Sequence, residues 1–268
     1  MQKLDDQQFK TILCFFGLSF QGYRKVRKGA KKRLVRHMQG LGCKMVPDYL
    51  KRIRSNPDVM HECRLALTVS ISRFFRDRMV WDTIRKKVLS DLVKKNHNPI
   101  HIWSAGCARG EEVYSMKMIW EEAEKNGLNL SRLRLLASDI NPVYLVAAQK
   151  GVYGKTSLKE VCESDKKTFF HIRKSRKQFI VKPFLRNDIT WQIIDLCTEL
   201  PNQSFDLIFL RNNVLTYLDG DLKEFVFQNI VKKLNPGGFL VKGAHETIPE
   251  TGVSLTRAYD QTNIFIKS

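Results

Sequence analysis

Glycines and carboxylates follow three predicted strands of this 268-residue chain. A strand predicted at 100–103 is followed by a glycine loop at 106–110 and by a helix that begins with Glu111-Glu112. Asp139 follows the next predicted strand, and Asp195 follows the one after it. Because ligands of open α/β sheets bind beyond the carboxyl ends of the strands, we expect these side chains to meet at one site.

The residue types favour a cationic nucleoside over a phosphorylated cofactor. Gly106 lets the backbone approach a ligand closely, but the loop matches neither GxGxxG nor the GK[ST] of a P-loop. Carboxylates at Glu111 and Glu112 would repel a pyrophosphate at this helix start. Asp139 is placed to accept hydrogen bonds from ribose hydroxyls, and Asp195 could hold an adenine amino group. The set predicts S-adenosylmethionine, although glutamates that complement the helix dipole and turn-forming aspartates would give the same pattern.

Alternating strands and helices are needed to position this set. The predicted strands are 100–103, 133–137, 190–194, 205–210, 239–242 and 263–266, and the predicted helices between them are 111–125, 142–150 and 219–234. Alternation with short connections predicts a parallel, doubly wound sheet. A small basic insertion at about 169–186 is expected to form a hairpin.

The first 95 residues are predicted to be helical. Asp5 or Asp6 can cap the first helix, a second extends over 21–40, and Asn56 opens another. A last helix at 77–95 is expected to turn four apolar residues inward, namely Met79, Ile84, Val88 and Leu92. We therefore predict a helical, basic domain at 1–95 and an α/β domain at 96–268.

The strongest compositional signal is positive charge. The chain has 46 basic and 27 acidic residues, a net charge of +19, and the first 60 residues have 14 basic and 4 acidic residues. A field of this sign favours an anionic partner. In the second helix, Arg27, Lys31, Arg33 and Arg36 are candidates for docking an acidic protein, and a solvated basic face is the alternative.

Several classes of protein and site are disfavoured. The longest apolar stretch near the N-terminus is too short to span a bilayer, and it follows charged residues without a cleavage site. We therefore expect a cytoplasmic chain without membrane insertion. The six cysteines lie at least 20 positions apart, so we expect neither a metal site nor a redox pair.

Five segments together resemble the CheR family, the S-adenosylmethionine-dependent protein-glutamate O-methyltransferases of bacterial chemotaxis. The segments are TVSISRFFRD at 68–77, IWSAGCARGEEVYS at 102–115, ASDIN at 137–141, AQKGVY at 148–153 and RNNVLTY at 211–217. The match runs in order over nearly the whole chain. It implies a Rossmann-like methyltransferase sheet with an all-α N-terminal domain, and methyl transfer to protein glutamates.

The resemblance also implies roles for individual residues. Arg76 and Tyr217 resemble the catalytic pair that flanks the transferred methyl group and the substrate carboxylate. A glutamate is already ionised at neutral pH, so its methylation needs no general base. The positions that resemble cofactor contacts are Ser70, Ser72, Arg76, Glu112, Asp139, Asp195 and Leu196.

This sequence departs from the family pattern in three places. Ser70 and Ser72 stand where the family usually has Asn or Thr, which would shorten those contacts. Asn212 and Asn213 compete for the role of a single family asparagine. The insertion lacks the glycine-rich loop with which some members grip a receptor tether. The expected partner is therefore an acidic helical protein, such as a chemoreceptor signalling domain, bound without the tether.

Two other functions remain open from sequence. The positive charge would suit a nucleic-acid methyltransferase, but the chain has no adjacent prolines after the fourth strand and no Pro-Cys nucleophile motif, so we expect no specific nucleic-acid partner. The additional asparagine at 212–213 leaves open a cofactor-binding regulatory protein without catalysis.

Overall fold

The chain divides into two compact units. The computed structural model describes residues 4–95, 99–130, 132–250 and 252–268. Unit one extends to Val69 and includes Asn213–Lys223, and unit two comprises Ser70–Asn212 and Glu224–Ser268. The predicted domain boundary after residue 95 falls at 96–98, outside the described residues, and the structure assigns 70–95 to unit two.

Unit one is built from helices with short caps. Asp5 forms a capping box with Gln8 before the first helix, and Asn56 accepts hydrogen bonds from two backbone amides at the start of the fourth. In chain order its helices are α1 (Asp6–Phe15), α2 (Arg27–Gly40), α3 (Val46–Ser55) and α4 (Pro57–Leu67). Their buried faces form one apolar core. The caps expected at 5–6 and 56 are thus confirmed.

A distant segment of the chain completes unit one. Leu218 forms an antiparallel bridge with Leu18, and the Ser19 amide donates to the Tyr217 carbonyl at 2.8 Å. The Asp219 amide donates to the Gly17 carbonyl at 2.9 Å. Sequence patterns had indicated only the start of a helix here.

Unit two contains a seven-stranded sheet, a small three-stranded sheet and their helices. Its helices are α5 (Arg78–Thr83), α6 (Leu89–Lys94), α7 (Glu111–Lys125), α8 (Pro142–Lys150) and α9 (Glu163–Phe169). The short helix α10 (Val214–Tyr217) belongs to unit one. The helix α11 (Gly220–Lys232) starts in unit one and continues into unit two. The strands are β1 (Ile100–Ala105), β2 (Leu133–Asp139), β3 (Val152–Gly154), β4 (Phe170–Arg173), β5 (Gln178–Val181), β6 (Ile189–Ile193), β7 (Phe205–Leu210), β8 (Leu234–Lys242), β9 (Leu255–Arg257) and β10 (Ile264–Lys267).

The large sheet has the order β6-β2-β1-β7-β8-β10-β9. The first five of these strands are parallel, which confirms the doubly wound arrangement, while β10 runs antiparallel to both β8 and β9. Sequence reasoning missed β9. The insertion folds into the predicted hairpin of β4 and β5, and β3 pairs with it to form the second sheet. Parallel β1 and β2 bring their carboxyl ends to one edge, where the glycine loop begins.

The predicted helix at 77–95 is interrupted. A π-helical turn at Ile84–Val88 separates α5 from α6, and Val80 and Trp81 are buried before it. A π-helical turn contains one additional residue, which shifts the helical phase. The prediction that Met79 faces inward is wrong: this side chain is 65% exposed, and it lies five residues before buried Ile84, which is about 140° around an α-helix.

Each helix within the described ranges is too short or too polar to span a lipid bilayer.

Candidate cofactor site

The loop after β1 folds back against the end of β2. Gly106, Ala108 and Gly110 all have left-handed backbone angles, with φ of 81°, 49° and 86°. The amides of Gly106 and Cys107 donate to the Ser138 carbonyl at 2.9 and 2.8 Å. Left-handed φ favours glycine, so the backbone of the turn itself accounts for the glycines at 106 and 110.

Asp139 is held in place by backbone amides. Its Oδ2 accepts a hydrogen bond from Ala108 at 2.9 Å, and its Oδ1 accepts one from Asn141 at 2.9 Å. Burial raises the pKa of this carboxyl, and the two amide hydrogen bonds oppose that shift. A carboxylate has about four lone-pair positions, so two remain in addition to these bonds. These remaining acceptor positions are of the kind that the vicinal hydroxyls of a ribose require.

Glu112 lies in the first turn of α7. Its Oε1 accepts a hydrogen bond from the buried Ser104 hydroxyl at 2.7 Å, and its Oε2 pairs with Arg211 at 3.0 Å. The Arg211 side chain is only 3% exposed. Neither Ser104 nor Arg211 was predicted as a site residue. Arg211 directly follows β7 at the edge that also bears Asp139, and this position was the signal that could have identified it.

Arg211 also reaches the segment at 70–77. Its Nη2 donates to the Arg76 carbonyl at 2.7 Å and to Asp77 Oδ2 at 2.8 Å. The Trp81 indole donates to the same Arg76 carbonyl at 2.8 Å. Phe75 and Asp77, on either side of Arg76, have left-handed φ of 51° and 61°. A strained turn thus presents Arg76, and Arg211 connects this turn to Glu112.

The predicted contacts at 70 and 72 precede this turn. Ser70 and Ser72 are both half-buried, and the Arg76 guanidinium donates to the Ile71 carbonyl at 3.1 Å. Buried Phe74 and Phe75 anchor the segment in the core of unit two. The structure therefore places Ser70, Ser72 and Arg76 on one segment that is anchored at its C-terminal end.

Asp195 and Leu196 lie just beyond β6. Asp195 Oδ1 accepts the Cys197 amide at 3.0 Å, and both Asp195 and Leu196 are half-buried. The amide of Ile194 donates to the Asp139 carbonyl at 3.2 Å. The turn therefore lies beside Asp139, as a site at the strand ends requires.

The two asparagines differ in conformation. Asn212, the last residue of this part of unit two, has a left-handed φ of 56°. Asn213 belongs to unit one and accepts the Val214 amide at 2.6 Å, which caps α10. Tyr217, also in unit one, packs against Tyr23 with 4.9 Å between ring centroids.

Most of the predicted docking cations have partners within unit one. Arg27 and Lys31 pair with Asp6 at 2.8 and 2.6 Å, while Arg33 donates to the carbonyls of Ala66 and Thr68, each at 2.7 Å. Arg36 is exposed. The exposed basic surface of α2 and the turn before it consists of Arg24, Lys25, Lys28, Lys32 and Arg36.

The described parts of the chain contain no group of three or more His, Cys, Asp or Glu residues placed to hold a metal ion.

Comparison with known proteins assigns the family. Residues 70–263 match the CheR methyltransferase family in its SAM-binding domain. The chain belongs to the CheR methyltransferase family. Its cofactor is S-adenosylmethionine, in agreement with the carboxylates and glycines at the strand ends.

Relatives match over most of their length. A chemotaxis protein methyltransferase of Listeria monocytogenes is 31% identical over 75% of this chain and 74% of the relative. Chemotaxis protein methyltransferase 1 of Pseudomonas aeruginosa is 28% identical over 81% of this chain and 80% of the relative. Chemotaxis protein methyltransferase Cher2 of Pseudomonas putida is 26% identical over 91% of this chain and 90% of the relative.

Proposed function

We propose that this CheR-family protein methylates glutamate side chains of a chemoreceptor signalling domain. The observation that carries the proposal is Arg76, a half-exposed guanidinium on a strained turn that Arg211 ties to Glu112. A guanidinium binds a carboxylate through two parallel hydrogen bonds, which fixes the orientation of the incoming oxygen. The names of the relatives cited above support a role in chemotaxis.

Bound S-adenosylmethionine supplies an electrophilic methyl group on a positively charged sulfur. Asp139 would accept hydrogen bonds from its ribose hydroxyls, and Glu112 would place negative charge near its cationic part. Asp195 and Leu196 are proposed to contact its base, and Gly106, Ser70, Ser72 and one of the asparagines at 212–213 to complete the cofactor contacts.

Arg76 would hold the substrate carboxylate and orient one of its oxygens. The carboxylate is ionised at neutral pH, so no side chain has to remove a proton. Tyr217 is proposed to donate a hydrogen bond to the substrate oxygen or to the bound cofactor. Catalysis then depends on orientation and on exclusion of water.

The substrate is proposed to dock on the exposed cations of α2. An acidic helix would complement the surface formed by Arg24, Lys25, Lys28, Lys32 and Arg36. Arg27, Lys31 and Arg33 would contribute to its positive field while they keep their partners within unit one. No tether peptide is required for this mode of docking.

The decisive experiment uses radiolabelled S-adenosylmethionine and a soluble chemoreceptor signalling domain. We expect label on the receptor that mild base releases as methanol, because carboxyl methyl esters are base-labile. A receptor whose acceptor glutamates are replaced by glutamine should remain unlabelled. Base-stable label, or label on added nucleic acid instead, would contradict the proposal.

Arg76→Ala tests the catalytic role directly. We expect turnover at saturating cofactor to fall about 100-fold, since loss of orientation has effects of this size. Titration with S-adenosylhomocysteine should show a much smaller change in Kd. Equal losses in turnover and in affinity would mean that Arg76 only clamps the cofactor.

A further inference from the structure

Arg211 has three partners from two separate parts of unit two. One nitrogen pairs with Glu112 on α7, and the other donates to the Arg76 carbonyl and pairs with Asp77. The guanidinium also lies 5.7 Å from the centre of the Trp81 ring. Removal of one partner from a buried ion pair leaves the other charge uncompensated. The Arg211 side chain therefore links α7 to the turn at 75–77 through these ion pairs and hydrogen bonds.

The turn needs such support because its backbone is strained. A left-handed φ brings the Cβ of a non-glycine residue close to backbone oxygen, and Phe75 and Asp77 both have such a φ. Hydrogen bonds hold the turn at each of its residues: the Phe75 amide donates to Ser115 at 3.0 Å, and Arg211 and Trp81 both donate to the Arg76 carbonyl. Arg211 also donates to Asp77 Oδ2, and the Val80 amide donates to the Asp77 carbonyl. Arg211 is thus the donor in two of these hydrogen bonds, one to Arg76 and one to Asp77.

We propose that Arg211 is a positioning residue that couples the cofactor-side carboxylate Glu112 to the orientation of Arg76. This inference rests on the proposed function, in which Glu112 faces the cofactor and Arg76 holds the substrate. A planar guanidinium can bridge acceptors on both sides, which the point charge of a lysine cannot do. Arg211 thereby sets Arg76 in place without touching substrate itself.

The first test is proteolysis of the protein without cofactor. Arg211→Gln should release the turn and raise the rate of tryptic cleavage after Arg76 about 10-fold or more, because cleavage follows the population of the open segment. Mass spectrometry identifies the cleavage site. Arg134→Gln serves as the matched control, because this exposed arginine on β2 forms a 3.6 Å ion pair with Asp188 far from the turn in sequence, and its rate of cleavage after Arg76 should equal that of wild type.

Milder variants separate positioning from a folding defect. Arg211→Lys should cleave at an intermediate rate, and Asp77→Asn, which keeps an acceptor but removes one charge, should cleave faster than wild type. If Arg211→Gln fails to fold, these two variants decide the matter. Cleavage after Arg76 at the wild-type rate in both would overturn the proposal.

The second test is a double-mutant cycle on turnover at saturating cofactor. Arg211→Gln should lower kcat about 10-fold or more in the wild-type background and less than about 3-fold in Arg76→Ala, since its effect passes through Arg76. Equal effects in both backgrounds would overturn the inference. A wild-type protein that fails to methylate glutamate while Arg211→Gln still opens the turn would refute the proposed function alone.

Discussion

Gly110 determines how α7 and its two glutamates begin, so Gly110→Ala should damage both stability and cofactor binding. The residue has φ of 86° and is the N-cap of the helix. An added Cβ would lie 2.9 Å from the Cβ of Ala148, 3.1 Å from the ring of Trp191 and 3.3 Å from the hydroxyl of Tyr153.

The structure gives the size of the effect. Left-handed φ costs an alanine roughly 1–2 kcal/mol, and overpacking a filled site adds about 1–3 kcal/mol. The second cost applies fully because Ala148 is buried on α8 and Tyr153 is tied to the Arg109 carbonyl at 2.6 Å. We expect Gly110→Ala to lower the free energy of unfolding by about 2–5 kcal/mol.

Gly127→Ala is the matched control. Gly127 has φ of 81° just beyond the end of the same helix, and an added Cβ would meet nothing within 4 Å. This variant has the conformational cost alone, about 1–2 kcal/mol. The difference between the two variants therefore isolates steric crowding beneath Gly110.

Calorimetric unfolding should place the Tm of Gly110→Ala roughly 2–12 °C below that of Gly127→Ala, from a difference of about 1–3 kcal/mol and about 2–4 °C per kcal/mol for a domain of this size. Titration with S-adenosylhomocysteine should show weaker binding for Gly110→Ala only. Equal Tm values, or unchanged cofactor affinity in Gly110→Ala, would refute the argument that this glycine sets the start of α7 at the cofactor site.

Three further predictions follow from buried and exposed charges. Asp139→Asn should raise the Kd for S-adenosylhomocysteine about 10–100-fold in a titration, and an unchanged Kd would remove Asp139 from the site. Burial raises the pKa of the Glu111 carboxyl, so the folded chain binds this proton at higher pH than the unfolded chain. The free energy of unfolding should therefore rise as pH falls from that raised pKa towards the ordinary pKa of a glutamate. Glu111→Gln should not show this pH dependence, and it should be more stable than wild type at pH 7. Denaturant titrations over a series of pH values measure both effects. Arg36→Glu should raise the KM for the receptor and leave kcat unchanged, with the difference shrinking at high salt. A changed kcat would argue against docking.

The elements that sequence predicted well are those with a local cause. Asn141, next to a proline, caps α8 by accepting the Val143 amide at 3.0 Å, and the helix at 142–150 is confirmed at both ends. Strand β9 was missed because three residues give no periodic pattern. The segment that completes unit one could not be found either. Its bridge joins Leu18 to Leu218, and contacts so distant in sequence leave no local signal.

Sequence reasoning identified candidate side chains at strand ends and missed the side chains that support them. Asp139 was named because it ends a strand, and its backbone partners follow from the turn around it. Ser104 and Arg211 were missed because their role depends on burial next to Glu112, which only the folded chain reveals. The strain at Phe75 is likewise a tertiary feature, since a bulky aromatic residue rarely adopts left-handed φ.

The choice between the two asparagines illustrates the same limit. From their spacing along the chain, Asn212 and Asn213 fit the same predicted cofactor contact equally well. In the structure the oxygen of Asn213 is used to cap α10, and the residue belongs to unit one. Asn212 directly follows Arg211 in unit two, and its amide nitrogen lies 3.1 Å from where a Cβ on Gly243 would stand. Because Asn212 has a left-handed conformation of its own and follows Arg211 directly, we propose Asn212 rather than Asn213 as the cofactor contact.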